Sequence, residues 1–235
     1  MKGKLYLIPT TIGETPVSNV IPDKVCETIK SITHYIVENE RTARRQLIKM
    51  GISTPIDNLT FRVLNKHTKK EEIASFLLPC EEFDVGLLSE AGVPAVADPG
   101  SEIVALAHQK NIQVVPLVGP SSILLALMAS GLNGQQFAFH GYLPVKPNDR
   151  IKTIKKLESQ SLSEKQAQIF IEAPYRNNQL LSDLYKTCSN NTLITIACNI
   201  STEQEYIKTL PAHQWKKNKV DLHKRPTIFL LQKRY

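Results

Sequence analysis

The chain has 235 residues, 42% of them hydrophobic and 22% charged, which is too apolar for a disordered segment and enough to fill the cores of two small domains. No apolar run approaches the ~20 residues that span a bilayer, and Met1-Lys2-Gly3-Lys4 runs straight into β-rich sequence, so neither a membrane anchor nor a secretory signal is expected and a cytoplasmic protein is. The net charge of +7 is uneven: 13 basic residues face 14 acidic ones through position 140, and 16 face 8 beyond it, which suits either an anionic partner such as RNA on the C-terminal part or a solvated lysine-rich surface.

In chain order, Leu5–Ile8 is predicted as the first strand and residues 22–31 as a helix with Pro22 at its start. His34–Val37 is a second strand, followed by an Arg-rich helix over 42–50 that stops at Gly51. A strand over 59–64, a helix over 69–78 and the very apolar strand Val85–Leu88 come next, the last of these expected in the sheet centre. A helix runs from the Pro99-Gly100 break to about Lys110, a strand covers 112–117, and an apolar helix opens at Pro120-Ser121-Ser122 and ends at Gly131. Beyond it, strands are predicted over 137–143, 167–172, 192–198, 205–210 and 227–232, with helices over 149–160 and 177–188. The fold class is therefore α/β: a parallel α/β domain over 1–131, the turn Gly131-Leu132-Asn133-Gly134, and a mixed α+β domain over 135–235.

In open α/β sheets ligands bind beyond the C-terminal strand ends. After the fourth strand stand Ser89, Glu90, Ala91, Gly92, Val93 and Pro94, then Asp98-Pro99-Gly100. Two acids and two glycines suit a small ligand bearing an amine or hydroxyls. No phosphate-cradling glycine motif is present, which disfavours a nucleoside triphosphate or dinucleotide. After the fifth strand, Gly119, Pro120, Ser121 and Ser122 open a helix whose N-terminus suits either a carboxylate or an ordinary serine cap. The cysteines at 26, 80, 188 and 198 are too scattered for a metal cluster and are expected as reduced, partly buried residues; no metal is expected.

Six segments in order resemble the tetrapyrrole-methylase superfamily, and within it the ribosomal RNA cytidine 2′-O-methyltransferase branch. They are residues 8–13 (IPTTIG), 38–41 (ENER) with Arg44, 89–100 (SEAGVPAVADPG), 116–122 (PLVGPSS), 141–146 (GYLPVK) and 172–176 (EAPYR). The resemblance implies a two-domain fold with an S-adenosylmethionine cleft between the domains, and a homodimer. It implies that Ser89–Pro94, Asp98 and Gly119–Ser122 line the methionine and ribose, and that Ala173, Ala197, Asn199, Pro226 and Thr227 surround the adenine. Plain strand packing is the alternative for those last residues.

Departures from the branch pattern cluster toward the substrate. The usual Ala-Thr-Pro-Ile-Gly-Asn appears with Pro9, Thr11 and Glu14; Glu-Asp-Thr-Arg appears as Glu38-Asn39-Glu40-Arg41; and Ala-Arg-Glu-Leu-Thr-Lys appears as residues 197–202, ACNIST. Methylating a ribose hydroxyl requires a base or polarising group, for which Glu14, Glu38 and Glu40 follow the first two strands. An ion pair with Arg44 is the alternative for Glu40. Arg41, Arg44 and Arg45 at the start of one helix, and Arg176, are candidates for an RNA or tetrapyrrole anion. Three functions follow: methylation of RNA, methylation of a tetrapyrrole, and S-adenosylmethionine-dependent regulation without catalysis.

Overall fold

A computed structural model describes residues 2–65 and 67–233. The chain forms two compact units, Met1–Ser121 and Ser122–Tyr235.

The first unit is a five-stranded sheet of β1 (Leu5–Ile8), β2 (His34–Val37), β3 (Thr60–Val63), β4 (Val85–Leu88) and β5 (Val114–Pro116), ordered β3-β2-β4-β1-β5. Every pairing is parallel. All four residues of β4 are buried, as its unbroken apolar run predicts for a central strand. Helices α1 (Asp23–Ile29) and α2 (Glu40–Lys49) send Val25, Ile29, Ala43 and Leu47 into one core with Ile8, Tyr35 and Leu88. On the opposite face, α3 (Lys70–Ile73), the following 3-10 helix Ala74–Glu81 and α4 (Gly100–Gln109) bury Ile73, Phe76, Leu77, Ile103 and Ala107 against Leu5, Ile36 and Leu87. The alternation of strand side chains between these two cores is the period-two pattern of a sheet covered on both sides.

The second unit is a mixed sheet. Its strands are β6 (Phe137–Tyr142), β7 (Ala167–Ile171), β8 (Leu193–Cys198), β9 (Tyr206–Pro211) and β10 (Thr227–Gln232), ordered β6-β7-β10-β8-β9. β6 and β7 are parallel and the other pairs antiparallel. Helices α6 (Pro147–Ser163), α7 (Asn177–Thr187) and the short α8 (Ala212–Trp215) cover one face, burying Ile154, Leu157, Leu180 and Leu184 on Phe170, Ile196 and Phe229. Helix α5 (Ser122–Ser130) covers part of the other through Ala126 and Leu127, which pack on Ala167, Ile169, Ala197 and Leu230.

Three expectations are corrected. The division between units falls before α5, not at Gly131–Gly134, because the buried stripe of α5 belongs to the second core. The helix expected over 69–78 is a single α-turn followed by 3-10 structure, with Pro79 inside it removing a backbone donor. Helix α2 begins earlier than expected, at Glu40, because the Asn39 side chain accepts from the Thr42 N–H and caps it. All four cysteines are free thiols, three of them buried.

Candidate functional site

The parallel register aligns the ends of the first sheet. Ile8 lies opposite Leu88, Leu88 opposite Val37, and Leu7 opposite Pro116. The segments that follow β1, β2, β4 and β5 therefore leave from one edge, which is where Glu38, Ser89–Gly92 and Gly119 stand.

The Ser89–Gly92 turn is closed internally and tied to its neighbour. Buried Ser89 donates its hydroxyl to the carbonyls of Ala91 and Gly92 at 3.2 and 3.4 Å, and the Thr10 N–H donates to the Gly92 carbonyl at 2.9 Å. Gly92 has a φ of +76°, and a Cβ there would sit 3.1 Å from the Pro120 carbonyl, so the turn depends on glycine both for conformation and for the close approach. Gly119 is more constrained still: a Cβ would lie 2.1 Å from Pro9 Cβ. Glu90 and Ala91 are exposed and Val93 is half-buried. Further along, Asp98 Oδ1 accepts from the N–H groups of Ala95 and Gly100, both at 2.8 Å. Those two bonds brace a segment in which Ala95 and Ala97 hold φ values of +66° and +62°. Left-handed conformations cost an L-residue about 1–2 kcal/mol each and cluster at ligand-binding loops.

Three carboxylates converge here. Glu38 Oε1 accepts from the Glu90 N–H at 3.2 Å. Burial raises the pKa of Glu38, the Glu90 N–H opposes the rise, and the charges of Asp98 and Glu90 add to it. Asp98 is likewise raised by burial against its two backbone donors. Its Oδ2 is buried and has no hydrogen-bond partner among the described residues. A buried carboxylate oxygen still open to a donor, amid like charges, fits a ligand with an ammonium, a hydroxyl or a sulfonium. S-adenosylmethionine carries all three.

The other predicted acids and bases are exposed or paired elsewhere. Glu14 is on an exposed loop. Glu40 pairs with Arg44 at 2.9 Å, and Arg44 also reaches Asp57 at 3.0 Å and lies over the Phe61 ring. Arg176 is held by buried Glu172 at 2.6 Å, while its guanidinium bonds the Tyr175 hydroxyl at 3.0 Å. Arg41 is exposed.

In the second unit the predicted adenine-side residues meet at one end of the sheet. Thr227 is opposite Cys198 and Ile228 opposite both Ala197 and Ile171, so Ala173, Ala197, Asn199, Pro226 and Thr227 share that end. Asn199, with φ +50°, donates its N–H to the Pro226 carbonyl at 2.9 Å. The Thr227 hydroxyl donates to the Arg225 carbonyl at 2.9 Å. Ala197 is fully buried in the core under α5, so its side chain packs and only its backbone faces the strand end.

Sequence reasoning missed a cavity of about 570 Å³ beside the carboxylates, lined by Glu38, Asn65, Thr68, Pro99 and Glu102. Its walls come from three separated segments whose polar residues follow no motif, and only the strand order brings them together. Thr10, which bridges to the Ser89–Gly92 turn, was also missed; its place after β1 was the available signal.

No group of His, Cys, Asp or Glu that could hold a metal ion occurs among the described residues. Residues 12–214 match the family model for tetrapyrrole (corrin/porphyrin) methylases. A protein named ribosomal RNA small subunit methyltransferase I from Synechocystis is 30% identical over 86% of this chain and 69% of its own length. One of the same name from Pseudomonas aeruginosa is 29% identical over 91% of this chain and 73% of its own. The crystal structure of the methyltransferase CobJ superposes with a TM-score of 0.65 at 16% identity, covering 98% of this chain and 94% of that one, a likeness of fold. The ordered segments, the two sheets and the family match agree: the chain is a methyltransferase of the tetrapyrrole (corrin/porphyrin) methylase family.

Proposed function

We propose that the protein binds S-adenosylmethionine and methylates RNA, at a ribose 2′-hydroxyl of ribosomal RNA. The acceptor is supported by the relatives named for the small ribosomal subunit, which align along most of the chain. The observation that carries the cofactor is Asp98, braced by two backbone donors through one oxygen and left buried without a partner at the other.

The bound cofactor supplies a methyl group on a positively charged sulfur, and the protein must align a nucleophile in line with it, a contribution that reaches about 7–11 kcal/mol in favourable cases. In this reading Ser89–Val93, Asp98 and Gly119–Ser122 hold the methionine and ribose. Glu38 takes the proton from the acceptor hydroxyl: its raised pKa makes it a better base than an exposed carboxylate. Glu14 is exposed, without burial to strengthen it as a base, and Glu40 is occupied by Arg44, so neither is assigned this step. A tetrapyrrole acceptor has the family model and the likeness of fold behind it, whereas the relatives that align along most of the chain are named for ribosomal RNA.

We also propose a homodimer. The resemblance implies it, and Leu124 and Met128 of α5, 50% and 78% exposed, and Phe137 and Tyr142 of β6, 40% and 65% exposed, are apolar side chains of the second unit that a partner could cover. No described helix is long and apolar enough to cross a membrane; an RNA substrate in the small ribosomal subunit places the protein in the cytoplasm.

Calorimetric titration with S-adenosylmethionine tests the cofactor, and D98A should weaken binding at least tenfold. Failure of the wild-type protein to bind removes the reading. Labelled methyl transfer to small-subunit RNA tests the acceptor, and tight cofactor binding with no transfer to that RNA or to a cell extract would replace catalysis with a regulatory role.

A further inference from the structure

We propose that the exposed face of α2 is a docking track for the phosphate backbone of a single RNA strand, contacted by Arg41, Arg45 and Lys49. The proposal rests on the RNA reading above and departs from the charge distribution in the sequence, which points to the second unit instead.

The three cations lie at i, i+4 and i+8, so they form one row along the helix with a rise of about 6 Å from each to the next. All three are exposed. None makes an ion pair or side-chain hydrogen bond with another described residue. Arg44, in the neighbouring row, is consumed by Glu40, Asp57 and Phe61. The acids near α2 thus neutralise the one arginine outside the row.

Local energetics run against this arrangement. Like charges at i,i+4 destabilise a helix by a few tenths of a kcal/mol per pair, and the row contains two such pairs. Arg41 stands in the first turn, where the helix dipole favours an acid. The first 140 residues carry a net negative balance, so a general lysine and arginine surplus does not account for the row. A ligand that supplies negative charge along its length relieves both costs.

The track is also rigid and well placed. Asn39 caps the helix, Ala43 and Leu47 anchor its opposite face in the core, and Gln46 bonds Thr11 in the loop after β1 at 3.4 Å. Its N-terminus follows Glu38 directly, so a strand laid along α2 enters the carboxylate cluster at the Arg41 end. Ile48, 61% exposed beside Lys49 and Arg45, offers apolar surface to a ribose or base.

The test compares R41Q/R45Q/K49Q with the wild-type chain, using fluorescence anisotropy of a labelled cytidine-containing single-stranded RNA and of protein-free small-subunit RNA at several salt concentrations. The triple variant should bind at least tenfold more weakly at low salt. The slope of log affinity against log salt should fall by about 2, since each phosphate contact to a single strand contributes about 0.7. S-adenosylmethionine affinity should be unchanged and the melting point should not fall, rising slightly as the like-charge pairs are removed, which separates lost docking from lost folding. R44Q, which breaks internal pairs on the same helix, should alter stability and leave the slope intact. Wild-type affinity and slope in the triple variant would overturn the proposal, as would their loss in K152Q/K155Q/K156Q on α6 instead. Absence of RNA binding by the wild-type chain at low salt would remove the RNA reading itself, a result distinct from either.

Discussion

Glu38 is the residue on which acid chemistry and stability meet. Its carboxyl is half-buried at the end of β2, close to Glu90 and Asp98, and its pKa is raised. A carboxyl with a raised folded pKa binds its proton more tightly in the folded than in the unfolded state. Stability from this group therefore falls as pH rises above the ordinary value of 4.5 and is regained as pH drops through the folded value. E38Q keeps an oxygen for the Glu90 N–H without the charge. It should melt above the wild type at pH 7, with the gap closing as pH approaches 4.5, and methyl transfer should fall by about 10²–10⁴ if Glu38 is the base. A melting gap independent of pH would show that the carboxylate is not strained by its surroundings. At the same scale, the sequence marked Glu38, Glu90 and Asp98 by their place after strands, but not that they share a cluster. Nor did it mark Ala95 and Ala97, since nothing in the word alanine announces a left-handed backbone; the Asp98 brace imposes it.

At the scale of elements, the second unit is clamped by one buried pair. Arg150 of α6 meets Asp183 of α7 at 2.6 Å and also donates to the carbonyls of Pro144 and Val145, with only 4% of its side chain exposed. R150A leaves a buried carboxylate and two carbonyls without their donor, and should cost about 3–5 kcal/mol in chemical denaturation. The double variant R150M/D183L should recover much of that loss, because it removes the charges together; no recovery would mean that shape rather than charge holds the helices. Most elements were legible because their apolar periods are plain. The helix expected over 69–78 was not, because an apolar period does not distinguish α-helical bonding from the 3-10 bonding that takes over at Ala74. Asn39, read as a departure from the family pattern, proved to be the α2 cap.

At the scale of the molecule, the position of α5 decides where one unit ends. Leu127 is 7% exposed and packs on the second sheet. L127A should cost about 2–5 kcal/mol, and hydrogen exchange should show the lost protection in β8 and β10 with β1 and β4 unaffected. Equal loss in both sheets would mean that the chain unfolds as one body. The sequence by itself determined the α/β class, the strand count and the family, because those depend on local period and on residue types in fixed order. Tertiary structure decided which polar groups meet. Strand order set Glu38 beside Glu90 and Asp98, ion pairing withdrew Glu40, Arg44 and Arg176 into internal contacts, and helix packing left Arg41, Arg45 and Lys49 in a row facing out. Charge in a sequence is only a sum; whether a given cation is available depends on the neighbours that folding brings to it.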